Sequence, residues 1–276
     1  MDHQDSDPPE DIFSDSLVIL GEDIGPQNSS VHYGELTLSI APKEGKALNL
    51  LADQLFSPAL LLAERIERGL IPLGGKSLIE LGAGCALPSL LASTRIPTPS
   101  LVVLTDYPDE IILGNLRANM EANKHLVASG CTVLCRGYEW GADMSTLLEL
   151  LPSPTTRGGY DVVILSDLLH FHDSHPVLVA SLTSLLARNP SSRAYIAAGT
   201  YTAPHVCADF LRKAEEAGIL CEEGPMDDMW RGEAPVRGVS VEQLGVRKGM
   251  CRWWTGRWRP DMSVSSAADK RPGGTW

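Results

Sequence analysis

Ser77-Leu-Ile-Glu-Leu-Gly-Ala-Gly-Cys-Ala-Leu-Pro88 decides the fold of this chain. Its apolar start reads as a buried strand and its two glycines as a turn. Leu87-Pro88 reads as the opening of a helix, where the N–H that proline lacks would have no partner anyway. The next apolar run, Leu101-Val-Val-Leu-Thr-Asp106, is a second strand, and it ends in an acid. A glycine turn lets a ligand approach the backbone, and an acid at the neighbouring strand tip accepts from its hydroxyls. Together they are how an open α/β sheet holds a nucleoside.

Outward from this pair, strands and helices alternate. The periodicity predicts strands at about 77–81, 101–105, 131–136, 160–167, 194–198, 219–222 and 251–258. Helices are expected at 87–94, 109–122, 176–188, 204–217 and 241–248. Asp109 reads as a helix cap and Pro204 as a first-turn proline. Upstream, 47–68 carries a helical apolar period that Pro58 should break or kink. Tyr160-Asp-Val-Val-Ile-Leu-Ser-Asp167 is apolar through its middle, hence buried on both faces. Alternation of this kind gives an α/β domain with a mostly parallel sheet and helices on both faces. Ligands of such sheets sit beyond the carboxyl ends of the strands. Glu80 to Gly84, Asp106, Gly137 to Trp140 and Asp167 all follow strand ends on that edge.

The chain has 276 residues, 43% of them hydrophobic, enough for one large domain, expected over 16–259. An acidic, Pro- and Ser-rich stretch at 1–15 and another polar stretch at 260–276 read as disordered tails. No apolar run reaches about 18 residues and no apolar signal core opens the chain, so a cytoplasmic protein without a membrane partner is expected. Cys85, Cys131, Cys135, Cys207, Cys221 and Cys251 are scattered, mostly in apolar runs, and suit buried thiols rather than disulfides or zinc. The formal charge of −12 opposes a phosphate backbone, so nucleic acid is not the expected partner. A small molecule, or less readily a basic protein segment, suits it better.

The turn is Glu-x-Gly-x-Gly (Glu80, Gly82, Gly84), not the Gly-x-Gly-x-x-Gly of dinucleotide enzymes, which points away from NAD and toward S-adenosylmethionine. Glu80 can accept a hydrogen bond from that ligand's ammonium. Asp106 can accept from both ribose hydroxyls, or cap the following helix. Trp140 offers a flat face for an adenine, or a lid on the core. Asp167, after Ser166, falls where methyl donor and acceptor would meet. Leu168-Leu-His170-Phe-His172-Asp-Ser-His175 gathers three of the chain's 7 histidines as metal ligands, acid–base or anchoring groups, or loop caps. The expected catalytic set is Asp167, His170 and His172, without a metal, with one histidine able to take the acceptor's proton. Arg252-Trp-Trp-Thr-Gly-Arg-Trp258 could stack on nucleic acid. As a final strand, its alternation instead puts Trp254 and Trp258 on one face and Trp253 on the other. Trp230-Arg-Gly-Glu233 reads as a lid or a surface loop.

Four motifs in order carry a family resemblance: Glu-Leu-Gly-Ala-Gly-x-x-Leu-Pro (80–88), Thr-Asp-Tyr-Pro-Asp (105–109), Gly-Tyr-x-Trp-Gly (137–141) and Tyr-Asp-Val-Val-Ile-Leu-Ser-Asp-Leu-Leu (160–169). Over roughly residues 30–258 the chain resembles the class I S-adenosylmethionine-dependent methyltransferases. More narrowly it resembles the fungal nicotinamide N-methyltransferase-like proteins, in the seven-β-strand group that includes lysine methyltransferases of elongation factors and chaperones. The resemblance implies a Rossmann-like, doubly wound, mostly parallel seven-stranded sheet with an antiparallel C-terminal strand. It also implies S-adenosylmethionine as cofactor and S-adenosylhomocysteine as product. Glu80, Gly82 and Gly84 would line the methionine part and Asp106 would bind ribose, with Tyr107 and Trp140 beside the adenine. Ser166 and Asp167 would face the donor methyl.

Two positions depart from the family pattern. Phe56-Ser-Pro stands where many relatives carry a Trp. Asp167-Leu-Leu-His170 stands where lysine methyltransferases of the group often have Asp-x-x-Tyr or Asp-x-x-Phe. The second departure favours methylation of a nitrogen or oxygen of a small molecule over a protein lysine. The rivals are a fold recruited for a cyclisation or rearrangement in secondary metabolism, and a non-catalytic binding protein. No Asn-Pro-Pro-Tyr-type run follows strand four, which argues with the charge against nucleic-acid methylation.

Overall fold

The computed structural model describes residues 30–42, 45–50, 55–152, 158–225 and 227–260. The tails expected at 1–15 and 260–276 lie outside these residues, Pro260 excepted. The elements run β1 (Ser30–Tyr33), β2 (Leu36–Ser39), α1 (Gly45–Asn49), α2 (Ser57–Glu67), β3 (Ser77–Leu81), α3 (Leu87–Ser93), β4 (Leu101–Asp106) and α4 (Glu110–Asn123). Then follow β5 (Thr132–Gly137), α5 (Ser145–Leu148), β6 (Val162–Ser166), α6 (His175–Leu185), β7 (Arg193–Gly199), α7 (Pro204–Glu216), β8 (Ile219–Glu223), α8 (Val241–Gly249) and β9 (Cys251–Trp258).

The large sheet has the order β5-β4-β3-β6-β7-β9-β8. It is parallel from β5 to β7, and β9 runs antiparallel to both β7 and β8. The chain leaves β3 to one side for β4 and β5, then crosses to β6 on the other. That reversal opens a crevice at the carboxyl ends of β3 and β6.

A period of two sorts the core into layers on the two faces of the sheet. Leu78, Val102, Leu104, Val162 and Ile164 pack with apolar residues of α2, α3, α4 and the β1–β2 hairpin. Ile79, Leu81, Val103, Val163 and Leu165 pack with α6 and α7. The aromatic run of β9 obeys the same alternation, with Trp254 and Trp258 in the second layer and Trp253 in the first. Those tryptophans are therefore core.

Local rules set the element ends. Asp109 caps α4 by accepting from the Ile111 and Ile112 N–H groups at 3.0 and 3.3 Å. Pro58 lies in the first turn of α2, where a missing N–H is tolerated, and Leu55 and Phe56 before it are not helical. The hairpin was not among the expected strands. Its outer edge is held by α4: Asn123 Oδ1 accepts from Thr37 N–H (2.9 Å) and Asn119 Oδ1 from Ser39 N–H (2.7 Å). In return, the side-chain amides of Asn115 and Asn119 donate to Ser39 O (3.0 and 2.8 Å) and that of Asn123 donates to Thr37 O (2.8 Å). Spacing of four residues puts these amides on one helix face.

Trp230-Arg-Gly-Glu233 is a surface loop, with Arg231 and Glu233 exposed, and it is anchored. Trp230 is buried edge-on against Tyr33, with ring centroids 6.4 Å apart. Glu64 accepts from Arg231 N–H (2.6 Å), and Glu67 accepts from Glu233 and Ala234 N–H (2.9 and 2.6 Å). The buried Lys248 ammonium, 2.9 Å from Glu64, ties α8 into the same strap. No helix of the described residues is long and apolar enough to cross a membrane.

Candidate active site

Beyond the carboxyl ends of β3, β4, β5 and β6 lies a cavity of about 240 Å³, bounded on its other side by Leu50, Leu55, Phe56 and Ala59. The glycine turn forms its floor. Gly82 and Gly84 have φ of 57° and 55°, left-handed backbone that glycine adopts without strain. A Cβ at Gly82 would lie 2.8 Å from Leu168 Cδ2 and 3.2 Å from Trp140 Cζ2, whereas at Gly84 it would meet nothing within 4 Å. The turn is stapled to β4: Ala83 N–H donates to Thr105 O (2.9 Å), and the Thr105 hydroxyl donates to Glu80 O (2.6 Å).

Asp106 ends β4 on the cavity wall. Its Oδ2 accepts from Gly84 N–H and its Oδ1 from Tyr107 N–H, both at 2.7 Å. Each oxygen keeps a lone pair for a further donor. Burial raises this carboxyl to about 6 despite the two donors. Tyr107 and the half-buried Trp140 also line the cavity, and Lys46 Nζ lies 5.4 Å from the Tyr107 ring centroid. Glu80 does not line the cavity. It is wholly buried within β3, facing Ser89 of α3, and neither carboxyl oxygen makes a well-formed hydrogen bond. Burial pushes it up to about 8.

Asp167 lies just past β6 at φ 61°, a conformation that Asp tolerates better than most residues. Its Oδ1 accepts from Gly199 N–H (3.2 Å) and its Oδ2 from the Tyr201 hydroxyl. Burial again dominates and raises it to about 6. Ser166, Asp167, His170 and Phe171 share the cavity wall. Both ring nitrogens of His170 are buried and neither makes a well-formed hydrogen bond; burial pulls the ring down to about 4, against a weak interaction with the Asp167 backbone, so it is neutral at pH 7. The ring lies against Phe171 at 4.0 Å, and Phe171 meets Trp140 edge-on at 5.6 Å.

The other two histidines do not join the site. His172 is 66% exposed, beside Asp173 at 3.4 Å, and does not line the cavity. The irregular chain after His170 turns it outward, so its expected place in the catalytic set has no geometric support. His175 is buried, with Nε2 2.8 Å from Leu169 O and Nδ1 3.1 Å from Asp209 Oδ2, and fastens this loop to α7. Among the described residues no group of three His, Cys, Asp or Glu is placed to hold a metal ion. Phe171, Tyr138 and Cys85 on the wall, and Tyr201 beside Asp167, were not among the site residues expected from the sequence. Tyr201 had a signal: it follows a strand end on the same edge as the acids.

A family model described as lysine methyltransferase matches residues 49–216, more than half of the chain. The chain belongs to the lysine methyltransferase family. The protein N-terminal and lysine N-methyltransferase EFM7 of Eremothecium gossypii is 29% identical over 239 residues, 79% of this chain and 87% of that protein. The protein of the same description from Emericella nidulans is 29% identical over 150 residues, 53% of this chain and 57% of that relative, so the match spans little more than half of its length. Among solved structures, a methyltransferase from Pyrococcus furiosus is similar at a TM-score of 0.46 and 14% identity, over 71% of this chain and 81% of that one. S-adenosylmethionine is the cofactor of this lysine methyltransferase family member, and the cavity fits it. Asp106 offers paired acceptors to a ribose, Tyr107 and Trp140 offer faces to an adenine, and the space over Gly84 is one that any Cβ would enter.

Proposed function

We propose that the protein transfers a methyl group from S-adenosylmethionine to an amine of a protein, on a lysine side chain or at an N-terminus. The observation that carries this is one continuous cavity with two chemically different ends. Gly84, Asp106 and Tyr107 lie on the β4 side of the turn, and Asp167, His170 and Phe171 on the β6 side. The relatives named above as protein N-terminal and lysine methyltransferases support the acceptor class.

Bound S-adenosylmethionine supplies an electrophilic methyl on a sulfonium. The protein's task is to align an unprotonated amine with it, and most of the acceleration comes from that alignment. Asp167 draws an ammonium to the β6 side, and Phe56 and Phe171 offer it aromatic faces. Desolvation among those rings lowers the affinity of the amine for its proton. The proton leaves by way of Asp167 or water. His170, with its depressed basicity, suits a hydrogen-bond acceptor for the amine N–H better than a proton carrier.

A second reading, a small-molecule acceptor, is favoured by His170 itself: a half-buried imidazole on the cavity wall, neither of whose nitrogens makes a well-formed hydrogen bond, could read a polar ligand. One experiment separates the two. The full chain is incubated with tritiated S-adenosylmethionine and a fungal lysate divided into protein and small-molecule fractions. Label in protein, recovered after acid hydrolysis as methyl-lysine or an N-methyl amino acid, is the expected result. Label confined to the small-molecule fraction transfers the conclusion to the second reading, and no label in either fraction overturns both.

A further inference from the structure

We propose that Tyr201 is a positioning residue for methyl transfer, its hydroxyl fixing the Asp167 carboxylate in the orientation that receives the acceptor amine. This rests on the reading of Asp167 as the amine-holding group. Tyr201 is not on the cavity wall. It comes from the turn after β7 and reaches Asp167 from outside the set of residues that line the cavity. Its hydroxyl donates to Oδ2 while Gly199 N–H donates to Oδ1 at 3.2 Å, so each carboxylate oxygen takes one donor from the β7 turn. The lone pairs left over serve the cavity, which Asp167 lines.

Gly199 shows that the chain is built for this contact. A Cβ there would lie 2.1 Å from Tyr201 Cε1 and 2.3 Å from Cζ. The requirement for glycine is one of space: the ring folds flat over position 199 on its way to the carboxylate. The turn is closed by Thr202 N–H donating to Gly199 O (3.0 Å) and anchored by Thr200 N–H donating to Met250 O (2.8 Å). On its other side, the ring meets Phe56 at 6.3 Å, and Phe56 itself lines the cavity. Tyr201 thus links the carboxylate to the aromatic wall that the acceptor would meet.

The groups facing Asp167 leave this role to Tyr201. Cys207 on α7 and Cys251 at the start of β9 have thiols raised by burial, and His170 on the same loop is neutral at pH 7. Arg247 of α8 acts on Tyr201 and Cys251, and its guanidinium bonds Leu55 O and Ser57 Oγ. Burial and the adjacent Asp167 raise the Tyr201 hydroxyl, so it stays a donor across the working pH range.

The test is Tyr201→Phe in the full chain, with the Asp167 carboxyl followed by NMR on 13C-labelled aspartate and assigned with Asp167→Asn. Loss of one charge-assisted donor should move the Asp167 midpoint up by about one pH unit. The acid limb of kcat/KM for tritium transfer into lysate protein should move with it, while S-adenosylmethionine affinity holds and the melting temperature at pH 7 falls by only the few degrees that such a shift entails. Gly199→Ala, which displaces the ring but keeps the hydroxyl, should give the same shift. An unshifted midpoint in Tyr201→Phe overturns the inference even if transfer is full. If the parent transfers no methyl, the reading of Asp167 fails instead, and the carboxyl titration reports that outcome separately.

Discussion

Gly82 and Gly84 look equivalent in the sequence and are not equivalent in the fold. A methyl at Gly82 strikes Leu168 and Trp140, so Gly82→Ala damages packing. A methyl at Gly84, which lines the cavity, meets no protein atom within 4 Å. Gly84→Ala should therefore cost only the left-handed strain, about 1–2 kcal/mol, yet remove S-adenosylmethionine binding by calorimetry. Parent-like affinity in that variant would show that the turn does not cradle the cofactor. At this scale the sequence led to Asp106 and Asp167 on the cavity wall, but misplaced Glu80, which is buried in β3 off the cavity, and was a poor guide to the histidines. Asp106 and Asp167 end regular strands, whose tips all reach one edge. His170, His172 and His175 fall along an irregular stretch with no period, so only the three-dimensional path separates the one on the cavity wall from the one in solvent and the one holding a loop.

Elements with a clear period were legible almost to their ends, because the apolar spacing that marks them is the packing that forms them. Strands expected at 101–105 and 251–258 appear as Leu101–Asp106 and Cys251–Trp258. The hairpin was invisible for a physical reason. Its strands are four residues each, too short for a pattern, and they are held by asparagines from a helix about 80 residues away. The turn left one clue, Gly34 at φ 57° opening a two-residue loop. Asn119 matters most in the clamp: its Oδ1 accepts from Ser39 N–H and Oγ–H, and its amide donates to Ser39 O and, at 3.2 Å, to Cys85 O beside the glycine turn. Asn119→Ala should cost about 2–4 kcal/mol, since buried groups lose partners. The Thr37 and Ser39 amides should lose hydrogen-exchange protection while those of β3 keep theirs. Equal loss at both would mean that the hairpin and sheet unfold as one unit.

For the whole molecule, the acidic composition meets a fold that buries three carboxyls along one sheet edge, Glu80, Asp106 and Asp167. All three are raised, to about 8, 6 and 6, with burial as the first cause. A raised acid holds its proton in the folded state after the unfolded chain has released it, so rising pH favours unfolding between the two values. His170 opposes this below about pH 6.5, because its folded ring stays neutral where the unfolded ring charges. Above about 6.5, and below the thiol range, Glu80 is the acid still holding its proton among the groups that burial raises. The ligand-free protein should therefore lose about 1–2 kcal/mol of stability from pH 6.5 to 8. Glu80→Gln should flatten that decline, because an amide of the same shape does not titrate. Urea midpoints of parent and variant at the two pH values decide the matter. A parent whose stability is flat or rises over this window carries an ionised Glu80, held by donors such as Ser89 that face it.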